Sequence, residues 1–475
     1  MRGKDRALRA VAVSLCAAMP IGFYAFGDAV DAFPGFLTLK PTQSEVNRRP
    51  PAVGEDYATS APVPFIQPAP TDLPAVDSHS LADRLSRPAD GRVVKGNVAF
   101  AVLDARSGKP LATRDDRTAR TPASTLKLLT AVSLLRTWSS SDTLTTSAVV
   151  KDGTITLVGG GDMLLTAGPP QPGAVGHASL ATLADQTADI VRAQGLGAMS
   201  LRLDDTFFQG SARTPGWAGN TPERGWVAPI MALGINGGNL TTQEYGPKSM
   251  DPAMDAAKTF ATLLRARGIT LGQAIPRAKA PNGGQRTEIH SAPLSEIVRH
   301  TLLTSDNTIA EVMGRLVALK TGHPVTYQGA IDAVTAEVRA LARDNNLPAD
   351  GLTLVDTCGL GVDNRVAPAL LAGLMADIVN GKDHRLIPML NDLPIAGLSG
   401  TLEDRFHEPA AQGADGLIRG KTGYLGGATT LAGYTMTASG RMVAFSIAVY
   451  GFDGRDGIEA KKVADAMAAE LTGTL

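Results

Sequence analysis

Ser124-Thr125-Leu126-Lys127 opens a stretch, TPASTLKLLTAVSLLRTW, in which Leu126, Leu129, Val132 and Leu135 recur at helical spacing. Positions three apart share a helix face, so this spacing sets the Lys127 amine beside the Ser124 hydroxyl. No other feature constrains the fold as much. A serine hydroxyl is a weak nucleophile until a base takes its proton. A lysine is that base only where desolvation or neighbouring cations lower its pKa. The helix N-terminus also favours developing negative charge nearby. This S-x-x-K is the only one in the chain.

The 475 residues suffice for about three units of ordinary size. Hydrophobic residues at 44% and charged residues at 19% fit a globular protein and exclude wholesale disorder. The net charge of −1 gives the chain no global claim on phosphate, which argues against nucleic acid as a partner. Only Cys16 and Cys358 are present, so a disulfide scaffold and a four-thiolate zinc site are excluded. The seven histidines, His79, His177, His290, His300, His323, His384 and His407, contain no H-x-x-x-H pair for zinc. No metal and no organic cofactor is expected.

The N-terminus has the pattern of an export signal. Arg2, Lys4, Arg6 and Arg9 precede an uncharged run from Ala10 to Gly27. The run is short for a membrane span of about 20 residues, and both cleavage near Gly27 or Ala32 and retention as a single anchor stay open. The expectation is an exported protein acting in the cell wall or periplasm. Residues 34–90 are rich in Pro and read as an extended spacer.

Order resumes near Lys95. NVAFAVLDARSGKPLATRDD reads as a β-hairpin turning at Ser107-Gly108-Lys109-Pro110. Residues 291–322 are helix-rich, LAGYTMTASGRMVAFSIAVYGF reads as two strands around Ser439-Gly440, and a helix is expected from Asp456 to Leu471. This is the pattern of an α+β domain, a sheet with segregated helices. Between Ser141 and Thr287 the character changes. TITLVGGGDMLL, MSLRLDDTFF and DAAKTFATLLRARG suggest a separate α/β insertion. The expected organisation is a signal or anchor over 1–33, a spacer over 34–90, one domain from 91–140 and 288–475, and an inserted domain over 141–287.

Two further motifs carry chemistry. Ser305-Asp306-Asn307 offers a second hydroxyl for proton relay and an amide to hold a substrate or Lys127. Such residues also serve as ordinary helix caps. Lys-Thr-Gly occurs twice. Lys320-Thr321-Gly322 closes a helix, with Lys in the last turn and Gly after it, and reads as structural. Lys421-Thr422-Gly423-Tyr424 leads into strands, where an exposed edge can pair with a peptide while Lys421 meets a carboxylate.

An S-x-x-K, an S-x-N and a K-T-G in this order form the set shared by penicillin-binding proteins and class A β-lactamases. Over residues 95–475 the chain resembles the class C low-molecular-mass penicillin-binding proteins, the D-alanyl-D-alanine carboxypeptidase/endopeptidase family. Similar stretches are PASTLKLLTA, GGGDMLLT, TSDNTIAE and LPIAGLSGTLEDRF. The resemblance implies a serine β-lactamase/transpeptidase-like fold interrupted by an inserted domain. It implies peptidoglycan stem peptides as substrate and β-lactams as covalent inhibitors. Ser124 would be the nucleophile, Lys127 the general base, and Ser305 and Asn307 the relay and positioning pair. Lys421 and Thr422 would bind the terminal carboxylate, beside Gly423, and the backbone N–H groups of Ser124 and Tyr424 would form the oxyanion hole.

The chain departs from that family at two points. Tyr424 stands where the family has a small hydroxyl residue, which puts a bulky ring beside the carboxylate site. Asp356-Thr357-Cys358-Gly359-Leu360 stands for the family's D-G-S-G-L. The Cys358 thiol is read as a small buried core group, with a place beside the site as the alternative. A class A β-lactamase needs a Glu in an E-x-x-L-N stretch between the second and third motifs. Glu311, Glu337, Glu403 and Glu408 all lack it. A cell-wall binding module with Tyr424 blocking the cleft is the non-catalytic alternative, against which the intact Ser124 and Lys127 argue.

Overall fold

The computed structural model describes residues 73–473 apart from 74, 92, 93, 96, 218, 220, 221, 242, 244 and 245. The expected signal segment and most of the spacer lie outside these residues. Among the described residues, no helix is long and apolar enough to cross a membrane.

The elements follow in chain order. Helix α1 (Ser78–Ser86) precedes β1 (Val98–Asp104), β2 (Pro110–Arg114) and α2 (Lys127–Thr137). A middle stretch holds β3 (Thr145–Lys151), β4 (Thr154–Val158), β5 (Asp162–Leu165), α3 (Leu180–Ala193), β6 (Ser200–Asp204), β7 (Leu233–Ile235), α4 (Pro252–Ala266) and β8 (Gln285–His290). Four helices follow: α5 (Leu294–Thr304), α6 (Asn307–Lys320), α7 (Tyr327–Asp344) and α8 (Pro368–Val379). The chain ends with β9 (Ile418–Leu425), β10 (Ala428–Met436), β11 (Met442–Tyr450) and α9 (Gly457–Ala469).

The first and last parts of the sequence build one antiparallel sheet in the order β2-β1-β11-β10-β9. Strands β1 and β11 read as nearly continuous apolar runs because both faces are covered. Phe100, Val102, Phe445 and Ile447 pack on one side with Leu81 and Leu85 of α1 and Ala464 and Met467 of α9. Ala101, Ala432 and Ala444 face the other side, in the cluster that holds α2, α5, α6, α7 and α8. Strand β9 is the sheet edge, and it carries Lys421 to Tyr424.

The helix-rich stretch of residues 291–322 breaks where the second motif falls. Ser305 adopts a left-handed backbone (φ 60°) and ends α5. Asp306 then caps α6 by accepting from the Ile309 N–H at 3.0 Å. The Ser-Asp-Asn motif thus combines the capping role and a place in the site.

The middle stretch forms a four-stranded sheet, β6-β4-β3-β8, and a two-stranded parallel pair, β5-β7. Its own cluster joins Leu157, Leu201 and Leu203 of the strands to Leu183 and Ala184 of α3 and Phe260 and Leu264 of α4. Part of the stretch packs elsewhere. Met163, Phe208, Trp217, Val227 and Ile230 join the helical cluster of α2, α6 and α7.

The spacer expectation requires a correction at its end. Residues 78–90 form α1 and a short 3₁₀ turn, with Leu81, Leu85 and Ala89 buried. Asp77 caps α1, accepting from the backbone N–H groups of His79 and Ser80. Leu81 and Leu85 are one helical turn apart, so a single buried stripe docks the helix on the sheet. The prolines on either side mask this short signal.

Phe260 of α4 is fully buried in the middle-stretch cluster. Phe260→Ala is expected to cost about 3–5 kcal/mol through lost transfer energy and cavity formation. Chemical denaturation of the full chain measures it.

Candidate active site

The turn Ala123–Leu126 leads directly into α2, so Ser124 sits one residue inside a 3₁₀ turn and Lys127 begins the helix. Ala123 is held at φ 46°, a backbone region a non-glycine residue enters only under constraint. The constraint comes from two sides. On one, Thr430 of β10 donates its hydroxyl to the Pro122 carbonyl at 2.7 Å. On the other, Gly359 passes so close that a Cβ there would lie 2.1 Å from the Ala123 carbonyl oxygen.

Lys127 is fully buried. Its Nζ lies 2.9 Å from Ser124 Oγ, 2.6 Å from Asn307 Oδ1 and 2.6 Å from the Cys358 carbonyl oxygen. Desolvation pushes its pKa below the ordinary lysine value, against the opposing pull of Cys358, Asp356, Asp306 and Glu311. The contacts fix what the neutral amine does. Two of its neighbours are carbonyl oxygens, which only accept hydrogen bonds. A neutral amine has two N–H groups and one lone pair. The N–H groups go to the carbonyls, and the lone pair faces the Ser124 hydroxyl.

Asn307 is oriented by its other end, which donates to the Trp226 carbonyl at 2.8 Å. Lys421 is also fully buried. It donates to Ser305 Oγ at 2.9 Å and to the Thr422 carbonyl at 3.0 Å. Desolvation holds its pKa well below the usual lysine value, and Lys127 and Arg405 add repulsion. The structure thus joins all three motifs: Ser124 to Lys127, Lys127 to Asn307, and Ser305 to Lys421. Lys320-Thr321-Gly322 terminates α6, as the sequence indicates.

Strand β9 approaches the nucleophile turn closely. A Cβ on Gly423 would lie 3.0 Å from the Ser124 backbone nitrogen and 2.8 Å from the Pro122 carbonyl oxygen. Side chains alternate along a strand, so Lys421 and Gly423 face this turn while Thr422 and Tyr424 point the other way. The Thr422 hydroxyl meets Thr401 Oγ1 at 2.7 Å. The Tyr424 ring is held toward α9. Its hydroxyl donates to the Gly454 carbonyl at 3.1 Å, and Lys461 of α9 sits 4.4 Å from the ring centroid. Gly457 makes room for the ring, since a Cβ there would lie 2.2 Å from the Tyr424 hydroxyl. The ring packs against α9, on the same face of β9 as Thr422, while Lys421 and Gly423 form the buried face of the strand.

The turn around residues 356–361 holds features that sequence reasoning missed. The Cys358 thiol is buried, as expected of a core group, but its carbonyl grips Lys127. A carbonyl has no side-chain signature, and only the D-T-C-G-L resemblance pointed to this turn. Asp356 shapes it by accepting from the N–H groups of Gly359 and Gly361 and from Asn364 Nδ2. Trp226 and Thr401 had no signal in their spacing.

An α+β sheet with flanking helices and a serine–lysine pair beside its edge strand defines a serine β-lactamase/transpeptidase-like protein. The chain belongs to the D-Ala-D-Ala carboxypeptidase 3 (S13) family, which it matches over residues 79–249 and 242–471. It is similar to carboxypeptidase DacB of Mycolicibacterium smegmatis, at 34% identity over 431 residues and 89% of each chain. It is also 34% identical to a carboxypeptidase of Mycobacterium tuberculosis over 385 residues, 79% of this chain and 80% of that one. The crystal structure of penicillin binding protein 4 (dacB) from Haemophilus influenzae shares the fold. Its TM-score is 0.67 at 20% identity, over 84% of this chain and 100% of that one.

Gly359→Ala is expected to displace the Ser124 turn. A misplacement of about 1 Å costs on the order of 100-fold in rate. The second-order rate of labelling by a fluorescent penicillin measures the loss.

Proposed function

We propose that this chain is a serine D,D-peptidase that cleaves the D-Ala-D-Ala end of peptidoglycan stem peptides through an acyl-enzyme on Ser124. The observation that carries this reading is the buried Lys127 amine, 2.9 Å from the Ser124 hydroxyl and held by two carbonyl acceptors. The family and its carboxypeptidase relatives supply the substrate class.

The steps follow from the contacts. The lone pair of Lys127 takes the Ser124 proton as Oγ attacks the carbonyl carbon between the two D-alanines. The carbonyl oxygen becomes an oxyanion, stabilised by the backbone N–H groups of Ser124 and Tyr424. In hydrolases with such a hole, loss of one donor raises the barrier by about 3–4 kcal/mol. The Ser305 hydroxyl, which accepts from Lys421 at 2.9 Å, passes a proton to the departing amine as the C–N bond breaks and takes up in return the proton that Lys127 received from Ser124. Lys421 and Thr422 bind the terminal carboxylate. The incoming carboxylate supplies a charge partner to Lys421, which has no ion pair among the described residues. Water then attacks the ester, with Lys127 as its base, and releases Ser124.

A β-lactam carbonyl acylates Ser124 by the same route, which makes β-lactams covalent inhibitors. Cleavage of cross-links as well as chain ends belongs to the same proposal, since both present a D-alanyl carbonyl. The substrate places the protein outside the cytoplasm, in line with the export pattern at the N-terminus. An anchoring role for residues 10–27 is part of this proposal.

The serine β-lactamase alternative finds no support in Glu311. Glu311 Oε1 accepts from the Thr357 N–H at 2.9 Å and faces the Trp217 indole N–H at 3.4 Å. A group so engaged inside the core is not placed to activate a deacylating water at Ser124. Covalent label on Ser124 is the outcome that separates the peptidase from the catalytically weakened binding module.

Incubation with a fluorescent penicillin, followed by peptide mapping, should place the label on Ser124. Lys127→Ala should slow acylation by at least about 100-fold, the lower end of general-base contributions. Label on another residue, or an undiminished rate in Lys127→Ala, refutes the mechanism. The active form of Lys127 is the unprotonated one, and its pKa lies below 10.5. The acylation rate should therefore rise with pH and level off below the ordinary lysine range, which a pH–rate profile reads directly.

A further inference from the structure

Helix α6 presents one row of polar side chains, Asn307, Glu311 and Arg315, spaced four residues apart on a single face. Each reaches a different backbone segment. Asn307 bridges Lys127 and the Trp226 carbonyl. Arg315 donates to the Ser211 carbonyl at 2.7 Å. Between them, the Glu311 carboxylate accepts from the Thr357 N–H at 2.9 Å and from Trp217 Nε1 at 3.4 Å. Glu311 is 2% exposed, so these bonds form in a medium that does not replace them with water.

Thr357 is the hinge of the arrangement. Its carbonyl accepts from Thr130 of α2 at 2.7 Å, and its hydroxyl donates to the Ala310 carbonyl at 3.3 Å. Gly314 admits it, because a Cβ there would lie 2.5 Å from Thr357 Oγ1. The next residue is Cys358, whose carbonyl holds Lys127 at 2.6 Å. Thr357 is thus tied to α2 and α6 at once, and its N–H is tied through Glu311 to Trp217 in the middle stretch.

We propose that Glu311 is a positioning residue for the acylation step. Its carboxylate fixes the 357–359 backbone, so that the Cys358 carbonyl takes one N–H of Lys127 and leaves the lone pair on Ser124. Trp217 steadies the carboxylate from the middle stretch, which links that stretch through Glu311 and Thr357 to the geometry of the nucleophile. Glu311 touches neither substrate nor the reacting atoms. The assignment rests on reading Lys127 as the general base.

The charged and titratable groups around Glu311 come from three elements. Asp356 and Cys358 lie on the turn, Arg315 on α6, and Lys127 on α2. Desolvation and the Asp356 charge raise the Glu311 pKa, and desolvation keeps the Cys358 thiol protonated well above its usual range. In turn the Glu311 charge favours the protonated form of Lys127. Its loss moves the ascending limb of the pH–rate profile to lower pH.

The test compares Glu311→Ala, Glu311→Asp and Glu311→Gln in the full chain. It measures the second-order acylation rate by fluorescent penicillin across pH, with thermal unfolding alongside. Glu311→Ala should acylate about 100-fold more slowly at its plateau, the cost of an angstrom-scale misplacement, and its limb should move to lower pH. Glu311→Gln should recover most of the rate, because the amide oxygen still accepts from Thr357. Glu311→Asp keeps the charge but draws the oxygens back by one methylene, so it should be slower than Glu311→Gln. That comparison decides the matter if Glu311→Ala does not fold. The proposal is overturned if Glu311→Asp acylates at the wild-type rate, or if Glu311→Ala loses only active fraction while its rate constant and limb stay unchanged. Lys127→Ala in parallel separates the two readings. Acylation that survives it refutes the base assignment, whatever Glu311 does.

Discussion

The site depends on one electrostatic fact: an amine has been taken out of water and given two carbonyl acceptors and one hydroxyl. An unpaired ammonium in such a place costs several kcal/mol in desolvation, and burial accordingly drives Lys127 toward its neutral form. The hydrogen-bond inventory then removes the remaining freedom. Asn307 Oδ1 and the Cys358 carbonyl can only accept, so the lone pair has one place to go. The reactivity of Ser124 follows from this count.

Much of the fold supplies those few contacts. Helix α2 is buried from Lys127 to Leu135, which removes the amine from solvent. Helix α6 delivers Asn307 in its first turn, and the left-handed Ser305 just before it aims a second hydroxyl at Lys421. The sheet positions the third motif. Gly433 lets β10 lie close against β9, since a Cβ there would lie 2.0 Å from the Arg419 carbonyl oxygen. Gly423 then lets β9 reach the Ser124 turn. These glycines are requirements of close backbone approach, not of turn conformation.

Residues that act through side-chain type and short spacing were legible in the sequence. Ser124 and Lys127 share a helix face, and the two Lys-Thr-Gly copies were separable because one closes a helix and the other enters strands. The β1–β2 hairpin and the C-terminal strands followed from alternation and turn chemistry. What escaped acts through backbone or through alternation across a fold. The Cys358 carbonyl has no residue signature, and Gly359 resembles any other glycine until the Ala123 carbonyl is seen beside it. The direction of Tyr424 depended on the pleat of β9 and on the space left by Gly457, thirty-three positions downstream in the numbering. Helix α1 was hidden by its proline-rich surroundings, although Leu81 and Leu85 carry the period that docks it.

Direct titration of the Lys127 ε-carbon, by NMR of lysine-labelled protein with the signal assigned by its loss in Lys127→Ala, tests the central claim most closely. The account predicts a midpoint clearly below those of exposed lysines in the same spectrum. A midpoint at the ordinary lysine value of about 10.4 would mean that the amine stays charged beside Ser124, and would contradict it.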